Sequence, residues 1–101
     1  MSQRQYEILF IAEQNLGEPE VDTLTATVKG FIEKENGTVE KVEKWGKKRL
    51  AYTIGKNREG SYVLMIANAP GSAMAEVERR MRVTDGILRF LAIRIDDEMK
   101  K

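Results

Sequence analysis

Tyr6-Glu7-Ile8-Leu9-Phe10-Ile11-Ala12 is apolar on both sides of a strand: Tyr6, Ile8 and Phe10 share one face, Leu9 and Ile11 the other. A strand with one wet face alternates, whereas a strand enclosed by neighbours does not have to. This segment reads as a central strand, and Ser61-Tyr62-Val63-Leu64-Met65-Ile66-Ala67 reads as a second. Outward from this pair the chain resolves into strand, helix, strand, strand, helix, strand. Gly17-Glu18-Pro19-Glu20 opens the first helix, because proline in the first turn gives up no hydrogen bond and acids there suit the helix dipole. Val21, Leu24, Val28, Phe31 and Ile32 recur at helical spacing as its buried stripe, and Asn36-Gly37 ends it with backbone that tolerates the left-handed region. Residues 38–44 and 49–54 read as strand around a bulge or bend at Gly46, and residues 55–60, Gly-Lys-Asn-Arg-Glu-Gly, as a turn. Ala69-Pro70-Gly71-Ser72 makes a second turn with Ser72 as candidate N-cap. Met74, Val77 and Met81 mark a short second helix, Thr84-Asp85-Gly86 stops it, and residues 87–95 form the last strand.

A βαββαβ order within 101 residues predicts an α+β, ferredoxin-like sandwich. Its sheet has four antiparallel strands in the order 4-1-3-2, with both helices on one face. That order puts the two most apolar strands at the centre and leaves one face of the sheet open. Residues 1–95 form a single domain, and 96–101 a short polar tail expected to fray. The fold hosts many functions and selects none of them.

Composition removes much chemistry. The chain has no Cys and no His, which excludes thiol nucleophiles, disulfides, zinc sites of the usual kind, imidazole acid–base catalysis and a phosphohistidine intermediate. No apolar run approaches the length of a membrane span, and the opening residues lack the apolar core and cleavage site of a signal peptide, so a reducing cytoplasm is the expected location. An acylphosphatase would need an arginine in a glycine-rich loop after the first strand, but Glu13-Gln14-Asn15-Leu16-Gly17 is acidic and has none. No dinucleotide or P-loop fingerprint occurs, and acid pairs such as Glu18/Glu20 and Asp96/Asp97 read as solvated surface. No cofactor and no metal are expected.

Net charge is +1, but its distribution is uneven. Residues 1–40 carry a net −5, residues 59–101 balance, and residues 41–58 hold Lys41, Lys44, Lys47, Lys48, Arg49, Lys56 and Arg58 against the single acid Glu43. Such a block is an electrostatic footprint for phosphate, and equally a charged hairpin that discourages edge-to-edge aggregation. Base stacking of the RNA-recognition-motif type is not supported. Ser61 to Ile66 lacks alternating aromatics, and Phe10 reads as core.

Within the basic block, Gly46-Lys47-Lys48-Arg49-Leu50-Ala51-Tyr52-Thr53-Ile54, followed by Lys56 and Gly60-Ser61-Tyr62, resembles the hallmark of bacterial small-subunit ribosomal protein six. The likeness extends in collinear order to Arg4-Gln5-Tyr6-Glu7, to residues 37–43 and to residues 82–89. Many members have proline where this chain has Thr53, which restores a backbone donor. The tail is short, so contacts of longer tails do not carry over.

The resemblance implies a non-catalytic structural protein of the small ribosomal subunit. It would bind the central domain of small-subunit RNA on the platform, paired with small-subunit ribosomal protein eighteen. It implies RNA contacts from Lys47, Lys48 and Arg49, with Lys56 and Arg58 either reaching phosphate or staying solvated. Arg4 and Arg89, on adjacent strands, either meet RNA or pair with a carboxylate such as Glu7. Trp45, Leu50 and Tyr52 are candidates for the protein-partner interface, against burial in the chain's own core, which is favoured for Ile54. Two other functions stay open: a small-molecule-binding regulatory domain of the ACT type, and an RNA-recognition domain acting alone.

Overall fold

A computed structural model of the chain describes residues 3–95; the polar tail expected over 96–101 lies outside the described residues. The elements are β1 (Gln3–Glu13), α1 (Glu18–Lys34), β2 (Thr38–Ile54), β3 (Asn57–Pro70), α2 (Ala73–Arg82) and β4 (Ile87–Arg94). The sheet runs β2-β3-β1-β4, and its recorded strand pairs are antiparallel. This is the predicted 4-1-3-2 order seen from the other edge, with the two strands that are apolar on both faces at its centre.

The helices cover the face carrying Tyr6, Ile8, Phe10 and Ala12 of β1 and Val63, Met65 and Ala67 of β3. Val21, Leu24, Val28 and Ile32 of α1 and Met74, Val77 and Met81 of α2 close over them. Phe31, placed by its spacing in the same stripe, is only half-buried and lies under the Arg80 guanidinium, 5.9 Å from its ring centroid.

Local signals account for the helix ends. The Gly17 N–H donates to the Glu20 carboxylate (2.8 Å), so a first-turn acid satisfies a donor that has no helical partner. At the other end Asn36 adopts φ 69°, its N–H donates to Glu33 O, and the Gly37 N–H donates to Ile32 O. This pairing is a Schellman motif. Gly37 is required there for space, since a Cβ would lie 2.6 Å from Ile32 Cγ2 and 2.9 Å from the Asn68 carbonyl oxygen. Ser72 occupies the N-cap position of α2 without a side-chain cap.

Two boundaries differ from expectation. The second strand is continuous from Thr38 to Ile54, with the anticipated irregularity absorbed as a register shift between Lys44 and Gly46. The turn shrinks to Gly55-Lys56, with Gly55 at φ 58°, and Asn57 to Gly60 belong to β3. A glycine at the first central position supports a tight two-residue hairpin, which the polar composition of residues 55–60 did not distinguish from a longer loop.

On α2, Glu76 accepts from Arg79 Nε (3.0 Å) and Nη2 (2.6 Å) and from Arg80 Nε (2.7 Å). The Arg79 and then the Arg80 hydrogen bonds hold its carboxyl at about 2, below the ordinary 4.5. A depressed carboxylate stabilises the fold fully above the ordinary value, and that contribution is lost as pH falls towards 2. Denaturant titrations of Glu76→Gln at pH 5, 3 and 2 should show a shallower acid decline than the parent chain. Equal declines would show that the Arg79 and Arg80 contacts do not couple to folding.

Candidate nucleic-acid interface

Strand register decides where the basic block lies. Gly46 pairs with Tyr62, Tyr62 with Ile11 and Ile11 with Arg89, one row across the sheet. The pairing of β1 with β3 ends one step past Ala12–Ser61, at Glu13–Gly60. Beyond that point β2 and β3 continue as a hairpin with no third strand beside it. Arg49 pairs with Glu59 and the next pair is Ile54–Asn57, so Leu50, Ala51, Tyr52 and Thr53 bulge opposite Arg58 alone.

The bulge sorts its apolar residues. Leu50 is buried at 9% exposure, whereas Tyr52 is 76% exposed. Leu50, a candidate partner contact, therefore has little side chain to offer. Trp45, 44% exposed, stacks on Tyr62 with centroids 6.4 Å apart and an 11° interplanar angle, and its indole N–H donates to Glu43 (3.1 Å). Ile54 is half-buried.

The cations of the block are not equivalent. The Lys41 ammonium lies 2.8 Å from Glu43, which holds the lysine above and the glutamate below their ordinary ranges. Lys44 pairs with Asp22 and, at 3.8 Å, with Glu18 on α1. Lys47 Nζ donates to the Gln14 carbonyl oxygen (2.8 Å). The side chains of Lys48, Arg49, Lys56 and Arg58 make no ion pair or hydrogen bond with the described residues, and all four are exposed. The hairpin thus carries four cations with no ion pair or hydrogen bond to the described residues, and Lys47, whose bond is to a neutral carbonyl, keeps its full charge beside them.

Arg89 shares their end of the sheet but sits on the opposite edge strand, exposed on the open face. Arg4 pairs with Ala69 at the other end, roughly 20 Å along β1 from the row containing Arg89. It is half-buried and has interactions of its own. The two arginines lie on adjacent strands, as the strand order predicts, but at opposite ends of them.

The open face is more apolar than the sequence reading used. Leu9 pairs with Leu64 on one side and Leu91 on the other, and Leu91 (55%) and Ile93 (39%) are exposed. The alternation of Leu91 and Ile93 with Phe90 and Ala92 was its available signal. Phe10 lies at 0% exposure on the helix side, which removes it as a base-stacking residue. A groove of about 270 Å³ between the start of α1 and β2–β3 includes Leu16, Val21, Lys44, Lys47 and Tyr62, but both lysines are engaged as described. Among the described residues no His, Cys, Asp or Glu group has metal-holding geometry, and no helix is long and apolar enough to cross a membrane.

The β-α-β-β-α-β order and the β2-β3-β1-β4 antiparallel sheet place the chain in the class of ferredoxin-like split-βαβ sandwiches. The family model described as Ribosomal protein S6 matches residues 5–94. The small ribosomal subunit protein bS6 of Methylorubrum populi is 44% identical over 91 residues, 90% of this chain and 60% of that protein. The bS6 protein of Bartonella bacilliformis is 45% identical over 96 residues, 95% of this chain and 71% of its own length. The crystal structure of 30S ribosomal protein S6 from Thermotoga maritima superposes with a TM-score of 0.90 at 36% identity, covering 98% of this chain and 94% of that one. The chain belongs to the ribosomal protein S6 family, whose members are structural components of the ribosome and not enzymes. It spans about 60% of the length of its Methylorubrum relatives.

Proposed function

We propose that this chain is a structural constituent of the bacterial small ribosomal subunit, on the cytoplasmic ribosome. There it binds the central domain of the small-subunit RNA on the platform, together with small-subunit ribosomal protein eighteen. The supporting observation is the group formed by Lys48, Arg49, Lys56 and Arg58, which lies inside the matched residues 5–94 and whose side chains make no ion pair or hydrogen bond with the described residues. Phosphate attracts such a group without regard to base sequence, so RNA shape and the partner protein supply the specificity. Trp45 and Tyr52, both exposed aromatics, are the residues proposed to meet that partner, and Leu50 is buried. Arg89 extends the cationic end across the open face, whereas Arg4 is remote from it.

The test is a titration against central-domain RNA with and without ribosomal protein eighteen over a salt series. Binding should be weak alone and tight with the partner, with log K falling by roughly 0.7–0.9 per phosphate contact for each unit of log salt. Absence of binding under both conditions would overturn the assignment and leave the fold unaffected.

A further inference from the structure

Gln14, between β1 and α1, holds the hairpin through both its main chain and its side chain. Its N–H donates to Asn57 Oδ1 (3.0 Å), and its Oε1 accepts from the Arg58 N–H (3.0 Å) and the Glu59 N–H (3.3 Å). Its Nε2 donates to the Lys56 carbonyl (3.4 Å), and its own carbonyl accepts from Lys47 Nζ (2.8 Å). Asn57 Nδ2 in turn donates to Ile54 O (3.3 Å), across the tight turn. Backbone pairing between β1 and β3 stops at Glu13–Gly60, so the Gln14 amide continues the ladder past the point where the strand has run out. Its contacts fall on Lys56 and Arg58 themselves and on Lys47, the neighbour of Lys48.

We propose that Gln14 is a positioning residue for the RNA-binding hairpin: it fixes the segment carrying Lys48, Arg49, Lys56 and Arg58 before RNA arrives. This rests on the proposed function. The physical reason is preorganisation. A hairpin with a four-residue bulge and no flanking strand retains freedom that must otherwise be surrendered on binding. The groups that Gln14 satisfies are near solvent, and water replaces the lost bonds. Loss of the latch therefore loosens the hairpin locally and leaves global stability nearly unchanged.

The test uses the full chain with Gln14→Met, which keeps length and loses the polar atoms, and Gln14→Glu, which keeps the acceptor oxygens. Amide hydrogen exchange at Arg58 and Glu59 should accelerate about fivefold or more in Gln14→Met and much less in Gln14→Glu, with the melting temperature unchanged. Asn57→Ala, which removes one arm of the latch, should give the same local signature at smaller amplitude. In the titration with ribosomal protein eighteen, Gln14→Met should lose about three- to tenfold in affinity at every salt concentration with an unchanged salt slope, because every cation is still present. Unchanged exchange at Arg58 and Glu59 overturns the latch. Accelerated exchange with native affinity overturns its role in positioning, and a reduced salt slope would show that Gln14 acts on charge instead. A parent chain that binds no RNA overturns the proposed function and this inference together, a result distinct from failure of the variant alone.

Discussion

Alanine at Lys48, Arg49, Lys56 and Arg58 together should lower the slope of log K against log salt by about 3, leaving the folded domain intact. Counterion release fades towards 1 M salt, so a slope change of this size corresponds to about a hundredfold weaker binding at 0.2 M and considerably more at lower salt. The four side chains are exposed and make no ion pair or hydrogen bond with the described residues, so their removal should cost little stability. The control is Lys41→Ala with Lys44→Ala. These lysines already face Glu43, Asp22 and Glu18, so phosphate gains less from them and the slope should change by well under about 0.7 for each lysine removed. If the two sets shift the slope equally per residue removed, internal pairing does not determine which cations reach RNA. If the quadruple variant binds as the parent does, the hairpin is not the phosphate contact.

Phe10→Ala should destabilise the domain by about 3–5 kcal/mol, a large part of the 5–15 kcal/mol typical of a domain. Phe10 is completely buried on the helix side, facing Val63 of β3 and Phe90 of β4 in the strand register. Truncation removes its apolar area from a site enclosed by two central strands and two helices, where relaxation can fill little of the cavity. Denaturant unfolding measures the loss, and the protein that remains folded should bind RNA as before. Full stability with selective loss of RNA binding would return Phe10 to the role of a base-stacking residue and contradict its placement.

The architecture was legible because its signals are local. Two faces of apolar residues in Tyr6–Ala12 and Ser61–Ala67, the helical spacing of Val21, Leu24, Val28 and Ile32, and the stop at Asn36-Gly37 each lie within one element, and each corresponds to the structure. The hairpin turn was less legible, because Gly55 and the polar residues after it suit a tight turn and a longer loop alike.

The candidate interface was legible only as a list of residue types. The basic block was visible, but which cations remain available was not. Lys44 is paired with Asp22, 22 positions earlier, whereas Lys47 donates to the neutral Gln14 carbonyl, 33 positions earlier, and keeps its charge. Leu50 and Tyr52, two apparently similar positions in one strand, part company because the bulge turns one in and the other out. Strand order puts Arg4 and Arg89 on adjacent strands, and register sets them at opposite ends.

The sequence by itself determined the element order, the central strands, the buried helix faces and the family, because period-two and period-3.6 patterns and a contiguous motif are written in adjacent residues. Tertiary structure alone decided which of seven clustered cations form ion pairs among the described residues, which apolar residue of the bulge is buried, and that Gln14 holds a hairpin 44 positions further along. Those outcomes depend on strand register and on the approach of distant segments, and a one-residue shift in pairing would turn each side chain to the other face and to other partners.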